Sequence, residues 1–270
     1  MTAGKPLIVQ EHRDLSLPRI LCLHGGGSNA RIFKAQCRAL SKQLAPFFLL
    51  VFVEGPFPSE PGPDVTSVYQ RFGPYRRWVR SGPQHPEIEA SEVKLEIDQA
   101  ILSAMKESDR QGATGDWVAL MGFSQGAKLA ASLLLRHQLH ATNAISSLAS
   151  VRIRFAVLMA GRAPLVSLDP YTQSDPAFLD AGDFAPMDCL YESLCRCQDA
   201  HLLRLPTIHV HGLKDAGLVL HRALSAAHCS PESTTLVEWD GQHRVPIQTK
   251  DVLPVVDAIL DTAQATGTLR

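Results

Sequence analysis

The chain has 270 residues, 45% of them hydrophobic and 20% charged, with a formal net charge of −1. That length favours one domain with insertions over residues 1–270, and the near-zero charge excludes a strong field for steering a polyanion such as a nucleic acid. No apolar run reaches the ~20 residues that a membrane-spanning helix needs, and Met1 to Arg19, polar and broken by Pro6 and Pro18, lacks the basic-then-apolar pattern of a secretory leader.

In chain order, six short apolar runs predict buried strands: Arg19 to Leu23, Phe48 to Val53, Trp117 to Met121, Phe155 to Met159, Thr207 to His211 and Thr235 to Trp239. Most lack strict alternation, as expected where both faces of a parallel sheet are covered. Between them, helical periodicity runs over Ala30 to Leu44, Ser91 to Asp109, Gln125 to Leu139, Val219 to Ala227 and Ile247 to Ala263. Strand alternating with helix implies a doubly wound, mostly parallel α/β sheet of about six strands with helices on both faces. Such sheets carry their sites beyond the carboxyl ends of the strands. Two stretches break the rhythm, residues 55–90 and 167–205, both rich in proline. Both leave the sheet on its carboxyl side, either as lid elements over a cleft or as surface elaboration.

Gly122-Phe123-Ser124-Gln125-Gly126 lies between the third strand run and a helical pattern. A G-x-S-x-G sequence in a strand–turn–helix setting is the nucleophile elbow of α/β-hydrolases, where small flanking residues let strand and helix approach closely. A serine hydroxyl needs a base within reach, and the base needs a partner to hold its tautomer. Gly212-Leu213-Lys214-Asp215 follows the fifth strand and Asp240-Gly241-Gln242-His243 follows the sixth. The expected order of nucleophile, acid and histidine is therefore met by Ser124, Asp215 and His243, with Asp240 as a competing acid that reads better as a turn former. His24-Gly25-Gly26-Gly27 follows the first strand. Its glycines allow main-chain N–H groups to face a developing oxyanion, and the expected donors are the amides of Gly26 and Gln125. The alternative of a phosphate cradle lacks both the G-x-G-x-x-G and the P-loop pattern.

The six cysteines, Cys22, Cys37, Cys189, Cys195, Cys197 and Cys229, include no C-x-x-C pair. Neither Asn29 nor Asn143 begins a glycosylation acceptor. Together these predict reduced thiols, no metal site and an intracellular protein. His209 and His211 share a strand face and read as a core pair rather than metal ligands. Arg71, Arg76, Arg77 and Arg80, interleaved with Tyr75 and Trp78, form a local basic cluster. Arg76, Arg77 and Trp78 are candidate contacts to an acidic carrier domain or to the phosphate of its pantetheine arm; the alternative is a solvated loop with one packed tryptophan.

With these residues in hand the chain resembles the FSH1-type serine hydrolases, compact α/β-hydrolases common in fungi. The resemblance rests on His24-Gly25-Gly26-Gly27, Glu54-Gly55-Pro56-Phe57, the Ser124 elbow, the Gly212 to Asp215 loop and His243-Arg244-Val245-Pro246. It runs from about residue 18 to residue 262. It implies a cytoplasmic enzyme without cofactor or metal that cleaves an acyl thioester or ester. Several members act beside polyketide synthases, releasing chains from a carrier domain. Tyr75-Arg76-Arg77-Trp78 is similar to that subgroup. Three consecutive glycines after His24 depart from the family, in which many members carry a bulkier residue there. A general carboxylesterase, an acyltransferase and a hydrolase-fold binding protein are the competing readings.

Overall fold

The computed structural model describes residues 14–140, 148, 151–184 and 197–270. In chain order its strands are β1 (Arg19–Leu23), β2 (Leu49–Val53), β3 (Phe57–Ser59), β4 (Tyr75–Arg77), β5 (Trp117–Phe123), β6 (Phe155–Met159), β7 (Leu165–Ser167), β8 (Phe178–Asp180), β9 (Thr207–Gly212) and β10 (Thr234–Trp239). The α-helices are α1 (Ala30–Gln36), α2 (Arg38–Leu44), α3 (Pro63–Tyr69), α4 (Ala90–Arg110), α5 (Gln125–Leu139), α6 (Leu218–His228) and α7 (Thr249–Ala265).

Six strands form one sheet in the order β10-β9-β6-β5-β1-β2, parallel throughout. These are the six apolar runs of the sequence, and β1, β5, β6 and β9 are buried along their whole length. Alternation along the strands sends Ile20 and Cys22 to one face, against Phe33 of α1, Leu40 of α2 and Val252, Val255 and Ile259 of α7. Leu21 and Leu23 go to the other face, against Val93, Ile97 and Ile101 of α4, Leu129 and Leu133 of α5 and Leu224 of α6. Cys22, Cys37 and Cys229 are free and buried, and Cys197 is buried as well. Burial pushes the Cys37 thiol well up and the Cys229 thiol to about 12, so they pack as small hydrophobes. Cys189 and Cys195 lie outside the described residues.

The helix expected over Ala30 to Leu44 is two helices. Cys37, at φ −81° and ψ 6°, leaves the helical region between them. The turn lets Ile32 and Phe33 on one side of it, and Leu40 and Leu44 on the other, be buried together. Residues 55–90 hold more order than their proline content suggests, because β3 and β4 form an antiparallel pair joined through α3. In the second excursion β7 and β8 pair in parallel, while residues 185–196 lie outside the described part.

The chain leaves β1 towards β2 on one side and returns past β1 to β5 on the other. β1 and β5 therefore flank the point where strand order reverses, the place where open α/β sheets bind ligands. Leu23 at the end of β1 is level with Gly122 near the end of β5, so the segments that follow them emerge side by side.

Candidate active site

Ser124 closes β5 and caps α5 with φ 53° and ψ −116°. A side chain in that left-handed region is strained by about 1–3 kcal/mol and persists only where its surroundings impose it. Gly122 and Gly126 do so by close approach. A Cβ on Gly122 would stand 2.2 Å from the Gly126 carbonyl oxygen, and one on Gly126 would stand 2.1 Å from that of Leu23. The Ser124 N–H donates to the Met159 carbonyl of β6 at 2.8 Å, which leaves the hydroxyl facing out from the turn.

That hydroxyl lies 3.0 Å from Nε2 of His243, whose Nδ1 lies 2.6 Å from Oδ2 of Asp215. The other oxygen of Asp215 accepts the Gly217 N–H at 2.8 Å. Three side chains from three strand ends thus form one hydrogen-bonded relay. Its two loops are knit together, as Leu213 N–H donates to the Trp239 carbonyl and Lys214 N–H to that of Gly241. The Phe123 ring packs on the His243 imidazole with centroids 5.0 Å apart. Burial pushes the Asp215 carboxyl up, but the hydrogen bond and charge of His243 with the Gly217 amide outweigh it, and the net shift is downward. Asp215 is thus ionised at neutral pH, the state that holds an Nδ1–H tautomer on His243. The competing acid, Asp240, is exposed and paired with Lys214 at 2.7 Å, out of the relay.

The second half of the site is the turn after β1. Buried His24 donates from Nδ1 to the Gly25 carbonyl at 2.8 Å and accepts the Gly55 N–H on Nε2 at 2.9 Å. In a trans peptide the carbonyl and the following N–H point opposite ways. Fixing the Gly25 carbonyl on His24 therefore aims the Gly26 N–H away from it. Among the described residues, neither the Gly26 nor the Gln125 N–H donates to another protein group. The neighbouring Gly27 N–H donates to the Arg76 carbonyl and so is spent. The Gln125 side chain links both halves to the first excursion, accepting the Trp78 N–H at 2.7 Å and donating to the Val79 carbonyl at 3.1 Å.

That excursion does not present the basic cluster as expected. Trp78 is fully buried, with its indole N–H donating to the His24 carbonyl at 2.8 Å, and Arg77 is only 2% exposed. Neither lies on a surface that a carrier domain can dock against, because Arg77 packs over Phe57, its partner in the β3–β4 pair, and Trp78 is held against His24. Arg76 is half-buried and reaches the Pro56 carbonyl at 3.4 Å, while Arg71 remains exposed.

Sequence reasoning passed over three contributors. His24 had a signal, its place just before the glycines. The Gln125 side chain had none, since its partners lie 47 and 46 residues away. His221 on α6 is fully buried, with Nε2 3.7 Å from Oδ2 of Asp215 and its ring 5.9 Å from that of His243. Burial pushes it down to about 3, so it stands beside the relay as a neutral ring. Asp215, His221 and His243 also form the one group of three among the described residues whose ligand atoms lie close enough to hold a metal ion. Two of those atoms are already engaged with each other in the relay.

The profile of the serine hydrolase (FSH1) family matches residues 15–255. The chain belongs to this family. It is 58% identical to tazC of Aspergillus terreus, named a probable esterase, over 93% of this chain and 94% of that protein. It is 54% identical to the esterase pigG of Monascus ruber over 95% of each. Among solved structures, the Bacillus cereus carboxylesterase superposes with a TM-score of 0.51 at 17% identity, covering 93% of this chain and 91% of that one, a likeness in fold. This FSH1 chain is thus an α/β-hydrolase and an enzyme of the serine hydrolase, esterase type. No helix among its described residues is long and apolar enough to cross a membrane.

Proposed function

We propose that Ser124 is the nucleophile, His243 the general base and acid, and Asp215 its orienting partner, with the amides of Gly26 and Gln125 as the oxyanion hole. The single observation that carries this reading is the relay of 2.6 Å and 3.0 Å hydrogen bonds ending on a strained serine, beside two unspent N–H groups. Ser124 Oγ attacks the acyl carbonyl while His243 Nε2 takes its proton. The carbonyl oxygen, now anionic, is held by the two amides. His243 returns the proton to the leaving thiol or alcohol as the tetrahedral intermediate collapses. Water, deprotonated by the same nitrogen, then releases the acid and frees Ser124.

The substrate on this reading is an acyl thioester or ester, with release of an acyl or polyketide chain from a carrier domain as the favoured case. The family resemblance supports that case; the relay itself serves oxygen esters equally. On this reading the chain is a single α/β-hydrolase domain, with 55–90 and the described parts of 167–205 as lid elements. The Gly27–Arg76 and Gln125–Trp78 hydrogen bonds support the first as a fixed wall. Three buried free thiols among the described residues, Cys22, Cys37 and Cys229, fit a reducing compartment, and so a cytoplasmic enzyme.

A fluorophosphonate probe should label wild-type protein at Ser124, and Ser124→Ala should lose both labelling and about 10⁶-fold in turnover. Folded wild-type protein that resists labelling would sink the nucleophile assignment. Rates on an acyl-pantetheine thioester and its oxygen-ester counterpart decide the finer point. A preference for the oxygen ester would favour the general carboxylesterase reading.

A further inference from the structure

Three arginines are more than nine-tenths buried among the described residues: Arg19, Arg77 and Arg136. Two have a carboxylate to hold, Arg19 on Asp109 and Arg136 on Asp98, each at 2.5 Å. Arg77 has none among the described residues. Its Nε is buried without a hydrogen-bond partner, and its guanidinium lies over the Phe57 ring at 5.0 Å. The positive charge of Arg80 adds to the imbalance. Burial, then the positive charge of Arg80, pull its pKa down, and its charge acts in turn on His85. Arg80 is already occupied by Glu87 at 3.1 Å. An uncompensated buried cation is costly, and a fold keeps one where something else supplies the opposite charge.

The position of Arg77 says where that charge arrives. It sits opposite Phe57 in the β3–β4 pair, and the next residue along, Trp78, donates its N–H to the side chain of Gln125, the neighbour of Ser124. Arg77 is therefore part of the wall beside the elbow. We infer that its guanidinium is the receptor for an anionic oxygen group on the acyl portion of the substrate, a carboxylate held by two parallel N–H···O bonds. The inference rests on the proposed hydrolase reading and adds a substrate class to it, acyl groups that carry an acid function away from the scissile carbonyl. A guanidinium fits a carboxylate or a phosphate equally well. With 2% of its surface exposed, Arg77 suits the buried acyl end. The phosphodiester of a carrier-bound arm lies at the carrier's own surface.

The test compares hydrolysis of p-nitrophenyl hemiglutarate with p-nitrophenyl pentanoate, a neutral ester of equal chain length, by wild type, Arg77→Lys and Arg77→Met. Wild type should favour the hemiglutarate. Arg77→Met should cut that preference by about 10–10²-fold, the scale of a lost charge-assisted pair, and Arg77→Lys should keep part of it. Arg77→Met should also melt several degrees higher than wild type, since it removes an unpaired buried charge. A purely structural arginine would give the opposite, a lower melting temperature and equal loss on both esters, and that result would overturn the inference. Binding of glutarate to Ser124→Ala protein by calorimetry, lost in the Ser124→Ala/Arg77→Met double variant, supports it without turnover. Hydrolysis of the pentanoate with no hemiglutarate preference and no glutarate binding defeats the Arg77 inference alone. Arg77-dependent glutarate binding with neither ester hydrolysed defeats the hydrolase reading alone. An Arg77→Met effect confined to 4′-phosphopantetheine thioesters, absent with unphosphorylated pantetheine, would move the anion to the carrier arm and refute the acyl assignment.

Discussion

Lowering the pH from 7 to 5 should remove much of this enzyme's stability, and the histidines set the size of the effect. His209, His211, His221 and His228 are each no more than 1% exposed. Burial pushes His209 and His221 down to about 3 and His211 and His228 to about 4. Among the described residues neither nitrogen of His211 or His221 has a hydrogen-bond partner, and the Asp215 and Glu238 carboxylates near them only partly offset the burial. A histidine whose folded pKa lies below its unfolded value of about 6.5 binds fewer protons folded than unfolded. Its full stabilisation is present above about pH 6.5 and is lost as pH falls towards the folded value. At pH 5 each of the four has lost about 2 kcal/mol, or about 8 kcal/mol together, against a typical total of about 5–15 kcal/mol. Asp215, shifted downward, adds nothing in this window, since its stabilisation is lost only lower, as pH falls through its folded pKa. Urea titrations at half-unit steps between pH 7 and 5 measure this. The logarithm of the unfolding constant should rise with a slope approaching about four per pH unit below pH 6. His228→Asn, away from the relay, should lower that slope by about one. A flat profile, or a slope of one throughout, would show that these rings are not buried neutral and refute the reasoning.

Two further outcomes follow from the geometry of the turn and the elbow. His24→Ala frees the Gly25 carbonyl and lets the Gly26 amide swing, so kcat should fall towards the loss of one oxyanion donor, about 10²–10³-fold, with KM little changed; stopped-flow acylation rates would reveal it, and unchanged acylation would count against Gly26 as a donor. Gly126→Ala places a methyl 2.1 Å from the Leu23 carbonyl oxygen, in rigid backbone between β1 and α5. It should cost about 3 kcal/mol or more, read by thermal melting, and a variant of wild-type stability would mean that β1 and α5 separate far more easily than their packing implies.

What the sequence disclosed divides by whether a signal is local. A parallel strand buried on both faces must be a continuous apolar run, so all six core strands are visible and their ends mark where side chains gather. The approach of Ser124, Asp215 and His243 follows from those ends, because parallel strands all finish on one edge. Choosing Asp215 over Asp240 also rests on local grammar, since Asp240 sits in the turn itself and pairs with Lys214. The break at Cys37 is less visible, as nothing in the run from Ala30 to Leu44 departs from helical spacing. The burial of Arg77 and Trp78 is invisible for a different reason. A stretch with four arginines in ten residues looks solvated, and only its pairing with Phe57 and the Gln125 amide, far away in sequence, turns two of its members inward. His221 has no signal either; it is one ring among helical positions until α6 folds back beside β9.

The twofold attachment of Gln125 ties the shape of the entrance to the timing of the chemistry. Its amide and its side chain belong to one residue, so a shift of the β4 segment is felt next to Ser124 without any intermediary. Relatives that exchange this segment for another must keep a main-chain donor and acceptor at the same two places, or accept a displaced amide. Engineering for new acyl groups is therefore safer from the Phe57 side of the hairpin than from its Trp78 end, where enlarging the chamber would also detune the machinery.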